Sequence, residues 1–244
     1  MVRWVCSGAD SDTVSTYEGM AADYVAELEE SPFNALYERP GVIALLPEVA
    51  DRRVLDVGCG SGPLSEWLVN HGAAVVGFDS SPSMLAAAEA RKLPNASFCV
   101  ADLADPLAFL DDSTFYVAVA SLVMHYLRDW VSPLRELRRV LTDDGVLVLS
   151  THHPARDVEL SVTGNYLATE LLEDRWQKAG REYKVSFWRR PLTEMFSAFD
   201  AAGFQVQTLT EPQPLPECER RFPSVWQRLS TEPNYIFFAL RPRR

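Results

Sequence analysis

Three acidic residues and one glycine-rich loop carry most of the chemistry this sequence could perform. The loop is Gly58-Cys59-Gly60-Ser61-Gly62, and it follows the apolar run Val54-Leu55-Asp56-Val57. Glycine lets the backbone turn sharply and lets a ligand approach with no β-carbon in the way. A helix is expected to open at Pro63, with Leu64, Trp67 and Leu68 on one face. A strand, a glycine loop and a helix N-terminus form a cradle for a nucleotide-like cofactor. Asp56 stands two residues before Gly58, Asp79 ends the apolar run Ala74 to Phe78, and Asp102 follows the run Phe98 to Ala101. Asp79 lies 21 positions after Gly58, near the offset of about 20 residues at which a ribose-binding acid stands in such folds. Three acids at the ends of three successive expected strands make a far more specific signal than a lone glycine loop.

Spacing and charge narrow the cofactor. A dinucleotide fingerprint reads G-x-G-x-x-G and points a helix N-terminus at a pyrophosphate. Here the third glycine, Gly62, comes one place too early and Pro63 fills the expected position. A carboxylate at Asp56 would repel a pyrophosphate and attract a ligand carrying positive charge. S-adenosylmethionine (SAM), with an ammonium and a sulfonium, is such a ligand, whereas a nicotinamide cofactor fits this loop less well.

The chain resembles the class I SAM-dependent methyltransferases, in their small-molecule branch. The residues that carry the resemblance are VLDVGCGSG (Val54 to Gly62), VVGFDSSPSML (Val75 to Leu85), CVADL (Cys99 to Leu103), ASLVMHYLRDW (Ala120 to Trp130) and LRRVLTDDGVLVLS (Leu137 to Ser150). The resemblance implies that the loop at Gly58 and Gly60 holds the methionine part of SAM and that Asp79 holds the ribose hydroxyls. Asp102 would accept from the adenine amino group, with Leu103 beside the ring, and Asp56 would support the loop and the ammonium. Cys59, Ser80, Met84 and Ser121 complete the implied cofactor lining, and a tyrosine placed like Tyr24 often closes over it in related enzymes. The product would be S-adenosylhomocysteine (SAH), and the acceptor a small molecule. One departure is Asp143-Asp144-Gly145, where the family usually has a Pro-Gly turn; Asp-Gly is also a competent turn.

Methyl transfer needs a group that removes a proton when the acceptor is a hydroxyl, a phenol or an acidic carbon. Histidine titrates in the right range, and the chain has four. His71 falls in a helix-to-strand turn and reads as surface. His125 follows the fourth expected core strand, and His152 and His153 follow the fifth, at the same rim. These three are the candidate catalytic bases; the alternative is that His125 only packs near the sulfonium and that the His-His-Pro turn is structural. No carboxylate or cysteine follows the histidine pair at ligand spacing, so a metal site is not expected.

The elements that must position these residues alternate strand and helix. Strands are expected over 53–57, 74–78, 97–101, 115–120 and 145–150, and helices over 63–70, 82–91 and 133–141. Ser81-Pro82 and Ser132-Pro133 read as helix starts. Such alternation argues for a parallel sheet covered on both faces. Pro191 to Ala202 reads as a helix, and Phe204 to Leu209 and Asn234 to Leu240 as the closing strands. Glu211 to Pro216 reads as a stiff connector. The expected fold is therefore α/β: a Rossmann-like, seven-stranded, mostly parallel sheet with its last strand antiparallel. The chain reads as one domain: an N-terminal helical cap (1–50), a SAM-binding core (51–150), a lid insertion after the fifth strand over the acceptor (151–190) and a sheet-closing C-terminal part (191–244). The lid segment carries Tyr166, Trp176, Tyr183, Phe187 and Trp188, which suits an aromatic or amphipathic acceptor as well as simple packing. The first region adds Tyr17 and the stretch Phe33-Asn34-Ala35-Leu36-Tyr37-Glu38-Arg39, with Arg39 able to pair with an acidic acceptor or to make a surface ion pair.

Global quantities agree. With 244 residues the chain can bury one full core. Its net charge of −11 argues against a nucleic-acid partner. The four cysteines form neither a C-x-x-C pair nor a disulfide framework, as expected of a cytoplasmic protein. No apolar run is long enough to span a bilayer, and Met1 to Asp10 is not a convincing secretory signal. Composition leaves the oligomeric state open.

Overall fold

The computed structural model describes residues 11–243, with side chains described from residue 18 onward. The first ten residues, with one of the four cysteines (Cys6), and the Tyr17 side chain lie outside the described residues. Helix α1 (Ser11–Leu28) is followed by a π-helical turn (Asn34–Glu38) that runs into α2 (Arg39–Leu45). The core then alternates: β1 (Arg53–Val57), α3 (Pro63–Asn70), β2 (Ala74–Asp79), α4 (Pro82–Ala90), β3 (Ala96–Val100), β4 (Phe115–Ser121), α5 (Val131–Val140) and β5 (Leu141–His152). A short helix α6 (Pro154–Asp157) leads to the hairpin β6 (Glu170–Lys178) and β7 (Arg181–Arg189). The chain closes with α7 (Leu192–Ala201), β8 (Phe204–Thr210), α8 (Pro216–Arg221), α9 (Pro223–Leu229) and β9 (Tyr235–Pro242).

Seven strands form one sheet in the order β3-β2-β1-β4-β5-β9-β8. The pairs from β3 to β5 are parallel, and β9 runs antiparallel between β5 and β8. Strand order reverses between β1 and β4, the kind of switch point beyond which open α/β sheets bind ligands. Period-two alternation explains why both faces are apolar. In β4, Val117 and Val119 enter one core while Ala118 and Ala120 enter the other; in β9, Phe237 and Phe238 divide likewise. Helix α5 packs Leu134, Leu137 and Val140 onto one face, and α3 packs Leu64 and Leu68 onto the opposite one. Each such burial contributes about 1.5–3 kcal/mol, enough together to hold the strand ends rigidly beneath the loops. Among the described residues no helix is long and apolar enough to cross a membrane.

The structure departs from the expected elements in two places and adds unexpected ones in two more. Helix α5 starts at Val131 rather than after Ser132, because the Asp129 carboxylate accepts from the backbone N–H groups of Val131 (2.8 Å) and Ser132 (3.3 Å); Pro133 lies inside the first turn. Strand β5 starts at Leu141 instead of 145: Leu141 pairs with Phe115, Val146 with Val117, and the Asp143-Asp144-Gly145 segment bulges between the two pairs instead of ending a turn. The segment 216–229 is two short helices beyond the proline-rich connector. The hairpin β6–β7 was not anticipated. Its two-residue loop, Ala179-Gly180, has both residues at positive φ, 48° and 75°, the geometry that fits strand twist. With Ala in place of the usual Asn or Asp, the turn carries no sequence signal.

Candidate active site

At the carboxyl ends of β1 and β2 the loop and its acids lock together. Gly58 has φ +65°, and a β-carbon there would stand 2.6 Å from Cγ2 of Val123, in the turn after β4. Gly60 has φ +53° and open space where its β-carbon would be. Its N–H donates to Oδ2 of Asp79 at 2.9 Å, and the Ser81 N–H donates to Oδ1 at 2.9 Å. Ser81 in turn caps α4 by accepting from the Met84 N–H. The Asp56 carboxylate, 1% exposed, accepts from Ser65 Oγ of α3 at 2.5 Å. Burial, with Asp79 and Glu38 as negative neighbours, pushes its carboxyl up to about 7. Burial likewise raises Asp79 above the usual carboxylate range. Asp102 accepts from the Ala104 N–H at 2.8 Å. Burial pushes the Cys59 thiol well up, so it stays protonated and behaves as a small apolar residue.

A fourth carboxylate, which the sequence reading did not single out, enters from the N-terminal region. The π-helical turn, in which the Glu38 N–H reaches the carbonyl of Phe33, presents Glu38 inward with only 3% exposure. Its Oε1 accepts from Ser121 Oγ (2.7 Å) at the end of β4 and from Ser150 Oγ (2.5 Å) in β5. Tyr24 lies within hydrogen-bond distance of Asn34 Nδ2 at 3.4 Å, and burial beside Glu38 pushes its phenol up to about 12. π-Turns concentrate at functional sites, but no residue type announces one, so only the structure reveals Glu38.

The histidines separate. His125 is 2% exposed, and among the described residues neither ring nitrogen has a hydrogen-bond partner. Its ring stacks on His152 at 4.1 Å between centroids, and burial followed by the charge of His152 holds it neutral, well below the usual histidine range. His152 places Nδ1 3.3 Å from Oδ2 of Asp157, the last residue of α6, an approach in ion-pair range that is not aligned as a hydrogen bond. His153 points away from the cavity. Its Nδ1 accepts from the Ala155 N–H at 3.2 Å and its Nε2 meets Glu211 at 2.9 Å, so both nitrogens are engaged in capping α6 and tying it to the connector. His71 is an exposed turn residue stacked on Trp67.

These groups surround one cavity of about 560 Å³. It is lined by Tyr24, Asp56, Gly58, Cys59, Gly60, Asp79, Ser80, Met84, Asp102, Leu103 and Ser121, and also by Glu38, His125 and His152; His153 is not in the lining. The rest of the lining is amphipathic, with Tyr126, Trp176, Phe187 and Tyr235 beside the polar Arg156, Asp157, Asp174, Arg175, Gln177 and Lys178. The hairpin reaches α1 through Tyr183 OH, which donates to Asp23 at 2.7 Å, and through the Ala179 N–H, which donates to Glu27 at 2.7 Å. The cavity fits a cationic nucleoside. Asp56, Asp79 and Glu38 make no ion pair among the described residues, while Ser61 Oγ and Arg39 Nη2 are buried at the same cavity without a hydrogen-bond partner. The first group can balance positive charge, and the second can donate to an α-carboxylate.

Fold and cavity together define an α/β protein with a cavity for a charged nucleoside at its strand ends. Residues 55–149 match the family model described as a methyltransferase domain. The chain is 30% identical to a malonyl-[acyl-carrier protein] O-methyltransferase of Pseudescherichia vulneris, over 78% of this chain and 77% of that one. It is 33% identical to a trans-aconitate 2-methyltransferase of Deinococcus radiodurans over 52% of this chain, spanning only half, 50%, of that relative's length. A SAM-dependent methyltransferase structure from Mesorhizobium loti superposes with a TM-score of 0.66 at 25% identity, covering 83% of this chain and 96% of that one. The chain belongs to the class I SAM-dependent methyltransferases, and its cofactor is SAM.

Proposed function

We propose that the protein transfers the methyl group of SAM to a small-molecule acceptor that is aromatic or amphipathic. The observation that supports this reading is the continuity of the cavity, from the glycine loop and acids at one end to stacked histidines and an amphipathic wall at the other. On this reading Asp79 takes the ribose hydroxyls, Asp102 and Leu103 the adenine, and Gly58 and Gly60 the methionine part, with Asp56 holding the loop through Ser65. Ser80, Met84, Cys59, Ser121 and Tyr24 complete the lining. Bound SAM supplies a sulfonium methyl carbon that is already a good electrophile. The chain's task is to hold the acceptor atom about 3 Å from that carbon, in line, and to take its proton. His152 is the proton acceptor, with Asp157 3.3 Å away to balance the imidazolium that forms. Neutral His125, stacked on it, offers a second nitrogen to orient the acceptor. Residues 51–150 form the SAM-binding core, 1–50 the cap and 151–190 the acceptor lid. The free thiols Cys59, Cys99 and Cys218 suit a reducing compartment, and we assign the protein to the cytoplasm.

The test is turnover. The protein is incubated with SAM and a panel of phenols, carboxylic acids and amines, with SAH formation and acceptor mass followed together. SAH formed in step with a methylated acceptor supports the proposal. Tight SAM binding with no SAH formed against the whole panel would contradict it and favour a non-methylating role on the same fold.

A further inference from the structure

Glu38 is a buried carboxylate that the N-terminal region brings to the cavity, and its two oxygens differ. Oε1 is fixed by two hydroxyls, Ser121 Oγ at 2.7 Å and Ser150 Oγ at 2.5 Å. Oε2 takes no hydrogen bond among the described residues, although Glu38 lines the cavity. Ser150 Oγ also accepts from the Leu122 N–H at 3.0 Å, so the carboxylate is held by the ends of β4 and β5 rather than by a flexible loop. Arg39, the next residue, meets Glu29 through Nη1 at 2.9 Å and makes no ion pair with Glu38, although its charge still favours the ionised Glu38 carboxyl. Burying a carboxylate without a cation costs several kcal/mol, and neutral hydroxyl donors offset only part of that. Burial raises the Glu38 carboxyl above the usual carboxylate range, against the pull of the two serine hydroxyls and the Arg39 charge, so a cation entering the cavity beside it is bound by stabilising its charged form.

We infer that Glu38 reads the positive charge on the sulfur of the cofactor, and so sets the preference for SAM over SAH. This rests on the reading of the cavity as a SAM site. Asp79 and the glycine loop sit at parts that SAM and SAH share, namely ribose, adenine and the amino-acid end. Glu38 stands elsewhere, between the ends of β4 and β5, where Ser121 precedes the turn that carries His125. The two ligands differ by one methyl group and one charge, so a group that reads that charge changes their affinity ratio and little else. Because this contact stabilises the bound donor before reaction, it serves ligand selection and product exchange rather than acceleration of the chemical step.

The experiment is calorimetric titration of wild type and Glu38→Gln with SAM and with SAH separately. Glutamine keeps the shape and an oxygen that can accept from the serines but removes the charge. Wild type should bind SAM more tightly than SAH, and the variant should lose about tenfold of that preference, the scale of one partly buried charge pair. SAH affinity should stay near the wild-type value. Equal weakening of both ligands would overturn the inference and assign Glu38 to a shared group such as the ammonium. An unchanged ratio with unchanged affinities would overturn it as well. Ser150→Ala, which removes one hydroxyl from Oε1 and leaves the charge, is the second variant: it should keep the SAM preference, and the same loss as in Glu38→Gln would reveal a packing effect instead. Failure of wild type to bind either ligand would instead refute the SAM site itself.

Discussion

Replacement of Gly60 by alanine separates the loop's role in folding from its role in binding. Gly60 sits at φ +53° with nothing within 4 Å of the position a β-carbon would take. The substitution therefore meets no protein atom and costs only the left-handed backbone strain of an L-residue, roughly 1–2 kcal/mol. For a chain of this size that lowers Tm by about 2–8 °C. On the proposed binding mode the new methyl group would occupy the cavity face on which the cofactor rests. Saturating SAM, at about a hundred times its Kd, should stabilise wild type by about 2.7 kcal/mol, and the variant should lose nearly all of that gain. Thermal unfolding with and without SAM reads both effects in one assay. Gly58→Ala provides the contrast, because its β-carbon would stand 2.6 Å from Val123; it should destabilise the apoprotein more than Gly60→Ala does. A Gly60→Ala protein that kept the full SAM-induced shift would refute the reasoning, since the open side of the loop would then not face the cofactor.

Three further outcomes follow from the same geometry. Asp79→Asn should weaken SAM and SAH alike by about 1.5–3 kcal/mol, measured by calorimetry, because the amide cannot replace a carboxylate that takes two N–H bonds and the ribose. His152→Ala and Asp157→Asn should slow turnover by about 10²–10⁴-fold and spare SAM affinity, whereas His153→Ala should leave turnover unchanged and cost about 1 kcal/mol of stability through the lost cap. Asp56 titrates at about 7 in the fold against an ordinary 3.8, so the folded apoprotein holds this proton more tightly than the unfolded chain. Its contribution to stability is present below about pH 4 and is lost as pH rises to about 7, at up to about 1.4 kcal/mol per pH unit. Denaturant unfolding across that range should show the slope in wild type and a shallower one in Asp56→Asn.

The parts of the site that are legible in the sequence are those built locally. Asp56, Gly58, Gly60, Asp79 and Asp102 sit within a few residues of apolar strands, so strand periodicity alone carries them to one edge of the sheet. The alternation of strands and helices fixes that edge as the ligand-binding one. What stayed hidden depends on contacts distant in sequence. Glu38 reaches Ser150 across 112 positions, through a π-turn that has no residue signature. His152 and His153 are adjacent and chemically identical, and only the packing of α6 against the connector turns one to the cavity and the other to Glu211. The hairpin β6–β7 was obscured by its Ala-Gly turn and by the charged residues that fill its outer face, although Tyr183, Val185 and Phe187 alternate as a strand should.

On the proposed function, the loop and its acids select a cationic donor and not a dinucleotide. Calorimetric titration of the purified protein with SAM, SAH and NAD tests it most directly. Saturable one-to-one binding of SAM and SAH at one shared site is expected, with no heat of binding for NAD. Binding of NAD at that site, or absence of binding by SAM, would contradict it.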